Sequence, residues 1–242
     1  VRIQGKAEFK AYLANGGLEH FGIRSPGGDT NFSRSSQAMP DTIKVNGVDR
    51  PTTNSNGKPI HPTEEGVRKF WEWFGDSRVV DEQGRPLVVY HGTAESFDAF
   101  DGEKDSTKKD HGYLGRGFYF STSAGTAGSY ANMKGGNADP NIMPVYLSVQ
   151  NPMKLRMTLR DTKIGLLRHA LGLPYSLAYE KVTPAAAQEV TNRLRELGHD
   201  GVALDYSIFA KEGQPIENEM VVFDPEQIKS AIGNAGAFDP SD

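Results

Sequence analysis

A histidine, two tyrosines and a glutamate stand on separate apolar runs of this chain. His91 closes the run in "YHGT", and Gly92 and Thr93 follow it. Glycine lets backbone approach a ligand closely, and the N–H and C=O of one residue match the two sides of a carboxamide. Tyr119 lies in "GRGFYFSTS", where it alternates with Phe118 and Phe120 and so faces the opposite side of a strand. Tyr130 follows in "AGSYA" among small residues, and two tyrosines can sandwich a flat ring. Glu219 opens the apolar run of "NEMVVFD". A lone His after a strand, an aromatic in a strand and an acid at a strand mouth are each ordinary. Their order along the chain and their strand contexts are together more specific. The Gly115-x-Gly117 pair is not a dinucleotide fingerprint, because no βαβ unit and no third glycine follow.

The elements that must position these residues read as follows. "HPTEEGVRKFWEWFGDS" has Val67, Phe70, Trp71 and Phe74 at helical spacing, with Gly75 as its stop. "RVVDEQGRPLVVYHGT" reads as a hairpin about an Asp-Glu-Gln-Gly turn, and "TIKVNGVDR" as a shorter one about Asn46-Gly47. "GRGFYFSTS" is a strand, "AGTAGSYANM" a short helix, and "IMPVYLSVQNPMKLRM" one long strand or a bent pair. Helices follow in "LRDTKIGLLRHALGL" and in "TPAAAQEVTNRLRELGH", the second with Thr183 as N-cap and Pro184 behind it. "DGVALDY" and "EMVVFD" are strands, and "PEQIKSAIG" a closing short helix. Strands and helices do not alternate regularly, which predicts an α+β fold rather than a doubly wound parallel sheet. Residues 1–61, rich in Gly, Ser, Pro and Asn, are expected to be an irregular N-terminal extension, partly packed on the body, and residues 62–242 the catalytic domain.

Composition narrows the chemistry. The 242 residues contain no cysteine, which removes disulfides, thiol nucleophiles and cysteine-held metal. The six histidines are scattered without an HExxH pair, so no metal is expected. A net charge of −4 argues against a general electrostatic nucleic-acid binder. No apolar stretch approaches the ~20 residues of a membrane span, and the start has no apolar signal core. The absence of an initial Met points to an excerpt or a processed product.

"YHGT", "GRGFYFS", "SYA" and "NEMVVFD" resemble the histidine–tyrosine–glutamate class of ADP-ribosyltransferases. "FWEWFGDSRVVDEQGRPLVVYHGT" and "VVFDPEQIKSA" are similar to the ADP-ribosyltransferase domains of polyvalent proteins from phages and bacterial mobile elements. The resemblance covers roughly residues 62–231. Ser121-Thr122-Ser123 and Glu217-x-Glu219 also resemble the arginine–serine–glutamate class, but that class carries Arg where His91 stands.

The resemblance implies a split, mainly antiparallel β-sandwich with flanking helices, gripping NAD+ in a cleft. It implies that His91 holds the adenosine ribose, with Thr93 beside it. Gly92 pairs with the nicotinamide carboxamide, and Tyr119 and Tyr130 stack on the ring. Glu219 is the catalytic acid. Ser121 replaces a hydroxyl that several relatives carry where Ala127 stands. The stretch "DGEKDSTKKDHGYLG" is implied to be a mobile loop over the substrate. Glu217, two residues before Glu219, points the same way in an extended segment and is a candidate acceptor-side group. The expected activity is mono-ADP-ribosyl transfer from NAD+ to a macromolecule, a protein first and a nucleic acid second, in the bacterial cytoplasm after delivery by a phage or a secretion system. The rival readings are an NAD+ glycohydrolase, an inactive NAD-binding or interaction module, and an RNA phosphotransferase. The last wants a basic phosphate-holding cluster that the motifs lack.

Overall fold

Asn46 and Gly47 both take positive φ, 50° and 82°. That is the backbone of a tight hairpin turn matched to strand twist. It joins β1 (Thr42–Val45) to β2 (Val48–Pro51), antiparallel with Val45 opposite Val48. This is a computed structural model, and it describes residues 39–94, 99–101, 112–135, 141–159, 162–173, 182–209 and 218–232. The hairpin packs Ile43 and Val45 on helix α1 (Glu64–Phe74), whose Val67, Phe70, Trp71 and Phe74 are buried. Thr63 caps α1 by accepting from the Gly66 N–H, and the Gly75 N–H closes its end on the Trp71 carbonyl.

A seven-stranded sheet carries the rest. Its order is β6 (Pro152–Arg156), β7 (Gly201–Asp205), β8 (Asn218–Val222), β4 (Phe118–Ser121), β3 (Val89–Thr93), β5 (Asn141–Leu147) and β9 (Ile228–Ser230). Only the β6–β7 pair is parallel. Between those two strands the chain runs through α3 (Lys163–Ala170) and α4 (Pro184–Glu196). Leu167, Leu171, Val190 and Leu194 cover Leu155, Val202, Leu204 and Val221. At its middle the sheet nearly parts, since β3 and β4 share one registered pair, Tyr90 with Ser121. Phe120 and Val222 from one half meet Val89, Val145, Leu147 and Ile228 from the other in a common core. The fold is α+β, and its sheet is split as a sandwich.

The structure decides three of the expectations. The first run of the 78–93 hairpin does not enter the sheet. Asp81 accepts from the Gln83 and Arg85 N–H groups and from the Arg85 guanidinium, which tightens the turn, and Pro86 has no N–H for a ladder. The hairpin itself closes on the bridge Val80–Pro86, flanked by the Asp81 N–H to the Arg85 carbonyl and the Leu87 N–H to the Val79 carbonyl. Residues 142–157 are the bent pair rather than one long strand, and its two strands do not pair with each other. The Asp200 carboxylate takes the Gln150 and Asn151 N–H groups at 2.6 and 2.9 Å and turns the chain there, sending β5 and β6 to opposite parts of the sheet. The closing helix is a single 3-10 turn, Pro225–Gln227. Gln227 Oε1 accepts from the Phe223 and Asp224 N–H groups, and Ile228–Ser230 then pairs with β5. Residues 102–111 of the expected substrate loop lie outside the described residues.

Tyr146 is buried against Phe70, and its hydroxyl accepts from Asn54 Nδ2 at 2.8 Å. Burial pushes the phenol up to about 12, with the Asn54 hydrogen bond working the other way. An unfolded chain ionises this phenol near pH 10 while the folded one keeps its proton, so stability falls as pH rises between 10 and 12. Tyr146→Phe is expected to cost about 1–3 kcal/mol at pH 7, because it strands the buried Asn54 amide. It should also flatten the alkaline decline. Urea unfolding of both proteins at pH 7 and 11 checks this, and equal slopes with pH would refute it.

Candidate active site

Glu219 is the second residue of β8, with Ser121 registered on one side and Leu204 on the other. An acid between two paired strands is not a solvated strand end, and its side chain is 13% exposed. One oxygen, Oε2, takes both of its hydrogen bonds: the Lys163 ammonium at 2.5 Å and the Tyr206 hydroxyl at 3.0 Å. Lys163 opens α3 behind the Thr162 cap, and Tyr206 directly follows β7. The same ammonium donates to the Tyr130 hydroxyl at 3.3 Å. It lies 5.8 and 5.6 Å from the ring centres of Tyr130 and Tyr206.

Burial alone would lower the pKa of Lys163. The charge and hydrogen bond of Glu219, aided by Tyr206, outweigh it and hold the lysine above its ordinary value, so it is cationic at neutral pH. Burial, then the Glu219 charge, pushes Tyr206 up to about 12, against the influence of Lys163. Its hydroxyl therefore keeps its proton and donates to the carboxylate.

Tyr130 arrives on α2 (Ala124–Gly135). Ser121 Oγ accepts from the Ser123 N–H, and Ser123 Oγ from the Thr126 N–H in the first turn. Thr122 holds Asn218 by two hydrogen bonds, Thr122 N–H to the Asn218 carbonyl and Asn218 N–H to Thr122 Oγ1. The Ser-Thr-Ser run thus starts α2 and latches β8 beside Glu219. Helix α2 then lies directly on β3: a methyl added at Gly92 would stand 1.8 Å from the Ala127 carbonyl oxygen. Gly92 lies two residues beyond Tyr90, the β3 residue registered with Ser121 of β4. No β4 residue is registered opposite it. Gly92 thus lies beside the split, beneath the helix that carries Tyr130. Gly92→Ala is expected to force α2 off the strand, costing at least about 1–3 kcal/mol and lowering the melting temperature. A melting temperature equal to wild type would mean that the helix is not seated on Gly92.

His91 donates from Nδ1 to the Tyr119 carbonyl at 2.8 Å. A carbonyl only accepts, which fixes the proton on that nitrogen. The ring packs edge-on to Phe100 and against Phe120, so it lies on the face of Phe118 and Phe120, with Thr93 following on the same strand. Tyr119 points to the other face, as alternation predicts, and joins the core under α3 and α4. Its hydroxyl donates to the Gly115 carbonyl at 2.7 Å and accepts from the Leu114 N–H, tying down its own approach loop. The Gly-Arg-Gly segment serves packing. The Arg116 N–H bonds the Ala187 carbonyl on α4, and a side chain at Gly117 would meet the Val222 carbonyl at 2.4 Å.

The structure therefore gathers Glu219, Tyr130 and Ser121, sets Gly92 under the Tyr130 helix, and links His91 to the backbone of Tyr119. It leaves the His91 ring on the opposite face from Glu219. Glu217 lies outside the described residues. Sequence reading missed Lys163 and Tyr206. Tyr206 had a signal, since it ends a strand beside the acid's own. Lys163 had none, standing 56 residues from Glu219 in a helix's first turn. Among the described residues, no three His, Asp or Glu side chains group to hold a metal ion, and no helix is long and apolar enough to cross a membrane.

A family model described as ADP-ribosyltransferase in polyvalent proteins matches residues 81–238, more than half of the chain. No curated protein matches. Among solved structures, a chain of the crystal structure of the M. tuberculosis MbcT-MbcA toxin-antitoxin complex is similar at 14% identity, with a TM-score of 0.36, over 69% of this chain and 90% of that one.

Proposed function

The chain belongs to the family of ADP-ribosyltransferases in polyvalent proteins, and we propose that it transfers a single ADP-ribose from NAD+ to a macromolecular acceptor, a protein in the first instance, within the bacterial cytoplasm. The observation that carries this reading is the partly buried Glu219 carboxylate on a central strand, joined to Tyr130 through one shared cation. Breaking the bond between nicotinamide and ribose leaves positive charge on the sugar, while the electron pair departs with neutral nicotinamide. The reaction needs a fixed negative charge beside the sugar rather than a strong general acid. Glu219 supplies that charge and accepts from a ribose hydroxyl. The Gly92 backbone pairs with the carboxamide, the Tyr130 and Tyr119 rings wall the nicotinamide, and Ser121 sits at the carboxamide end. His91, with Thr93 beside it, holds the distant ribose. The acceptor atom bonds to the sugar carbon and gives up its proton.

Labelled NAD+ incubated with host lysate, followed by mass spectrometry, tests the reading beside a Glu219→Gln control. A label on macromolecules that vanishes in the control supports it. Nicotinamide release without label would make the protein a glycohydrolase, and neither would make it a binding module. Glu217 is assigned the acceptor side. Glu217→Ala is therefore expected to cut acceptor labelling by about 10²-fold or more while nicotinamide release continues, since a positioned general base is worth about 10²–10⁴-fold. Parallel loss of both activities, or of neither, removes that role.

A further inference from the structure

Among the described residues, the groups in contact with the Lys163 ammonium all stabilise positive charge. These are a carboxylate oxygen at 2.5 Å, a tyrosine hydroxyl at 3.3 Å and two tyrosine rings centred 5.8 and 5.6 Å away. The backbone does not explain a cation here. Lys163 begins α3, and that first turn has no acidic residue, so the helix dipole opposes its charge. The ammonium is held by the surrounding side chains and not by its own helix.

We propose that Tyr130, Tyr206 and Glu219 form a cation subsite, in which Lys163 stands where the positively charged nicotinamide–ribose end of the dinucleotide is taken up, and that the two exchange. The proposal rests on the NAD+ reading above and adds Tyr206 and Lys163 to it. Two cations cannot share one carboxylate without strong repulsion, and an ammonium at 2.5 Å cancels the charge that Glu219 must offer the sugar. Lys163 must therefore leave when the substrate enters. Its four-carbon stem, with the side chain 24% exposed, permits that without moving the backbone. Tyr206 stays on Oε2 and keeps the carboxylate oriented. Among the described residues nothing donates to Oε1, which is the oxygen left for a ribose hydroxyl.

The test is calorimetric titration of the whole chain with the 1-methylnicotinamide cation, with neutral nicotinamide and with NAD+. Lys163→Met keeps the apolar stem and removes the charge. It should bind the cation and NAD+ about fivefold tighter, the scale of one partly exposed ion pair, and nicotinamide within about twofold of wild type. Lys163→Arg should bind no tighter than wild type. Lys163→Gln serves as the second variant if Lys163→Met loses cooperative unfolding. If wild type binds NAD+ but neither neutral variant binds the cation more tightly, the exchange is wrong and the function stands. Unchanged affinity with lower turnover would make Lys163 a clamp for Glu219 instead, which also overturns the proposal. If no variant and no wild-type protein binds NAD+, the functional reading fails and takes this one with it.

Discussion

Glu219→Gln is expected to lower nicotinamide release from NAD+ by roughly 10²–10³-fold, with NAD+ affinity within about twofold of wild type. Glutamine keeps the shape of the side chain and can still meet the Tyr206 hydroxyl, so the strand and its neighbours should not shift. What disappears is the charge. The ground-state dinucleotide carries its positive charge on the nicotinamide ring, whereas the transition state moves it to the sugar beside Glu219. Affinity changes little because two effects oppose each other. The substrate loses an attraction, and Lys163 loses the partner that holds it in the substrate's place. Single-turnover release, paired with calorimetry on the same preparations, measures both quantities. Near-normal turnover would remove Glu219 from the chemistry. A collapse of affinity with unchanged single-turnover rate would make it a binding group only.

Much of the site was legible because the motifs sit where local rules are strong. The alternation that put Tyr119 opposite Phe118 and Phe120 is a property of any strand, and it holds here. The α1 stripe, the Thr183 cap and the Asn46-Gly47 turn are likewise short-range features. The readings that were open or wrong lie where a side chain far along the chain decides the backbone. Asp200 breaks the long apolar run at 150–151 from about fifty residues away. Gln227 Nε2 donates to the Ser148 and Asp200 carbonyls, 79 and 27 residues away, and so docks the turn where Ile228–Ser230 pairs with β5. Lys163 is the same kind of case at the site itself. A lysine at the start of a helix reads as a surface residue, and only the packing of α3 against β7 and β8 brings its ammonium to the acid. The glycines were ambiguous for a different reason. Sequence shows that backbone comes close, but not to what: Gly117 meets a neighbouring strand and Gly92 meets a helix.

His91→Ala is expected to weaken NAD+ binding by about tenfold or more and also to destabilise the fold by about 1–3 kcal/mol, because the ring holds the Tyr119 carbonyl and is proposed to hold the ribose as well. The side chain is buried, and its Nδ1–H satisfies the Tyr119 carbonyl beside the sheet's split. Alanine removes that donor, just where β3 and β4 cease to pair. A loss of affinity in this variant alone would not separate a ribose-holding histidine from a structural one. His91→Asn does. The asparagine amide places a donor near the position of Nδ1, so the tie to Tyr119 and most of the stability should return. It has no counterpart to Nε2, the nitrogen assigned to the ribose, so NAD+ affinity should stay low. Urea unfolding and calorimetric titration of the three proteins give the two numbers for each. If His91→Asn recovers stability and affinity together, the histidine only holds the split open, and the distant ribose is gripped by another residue.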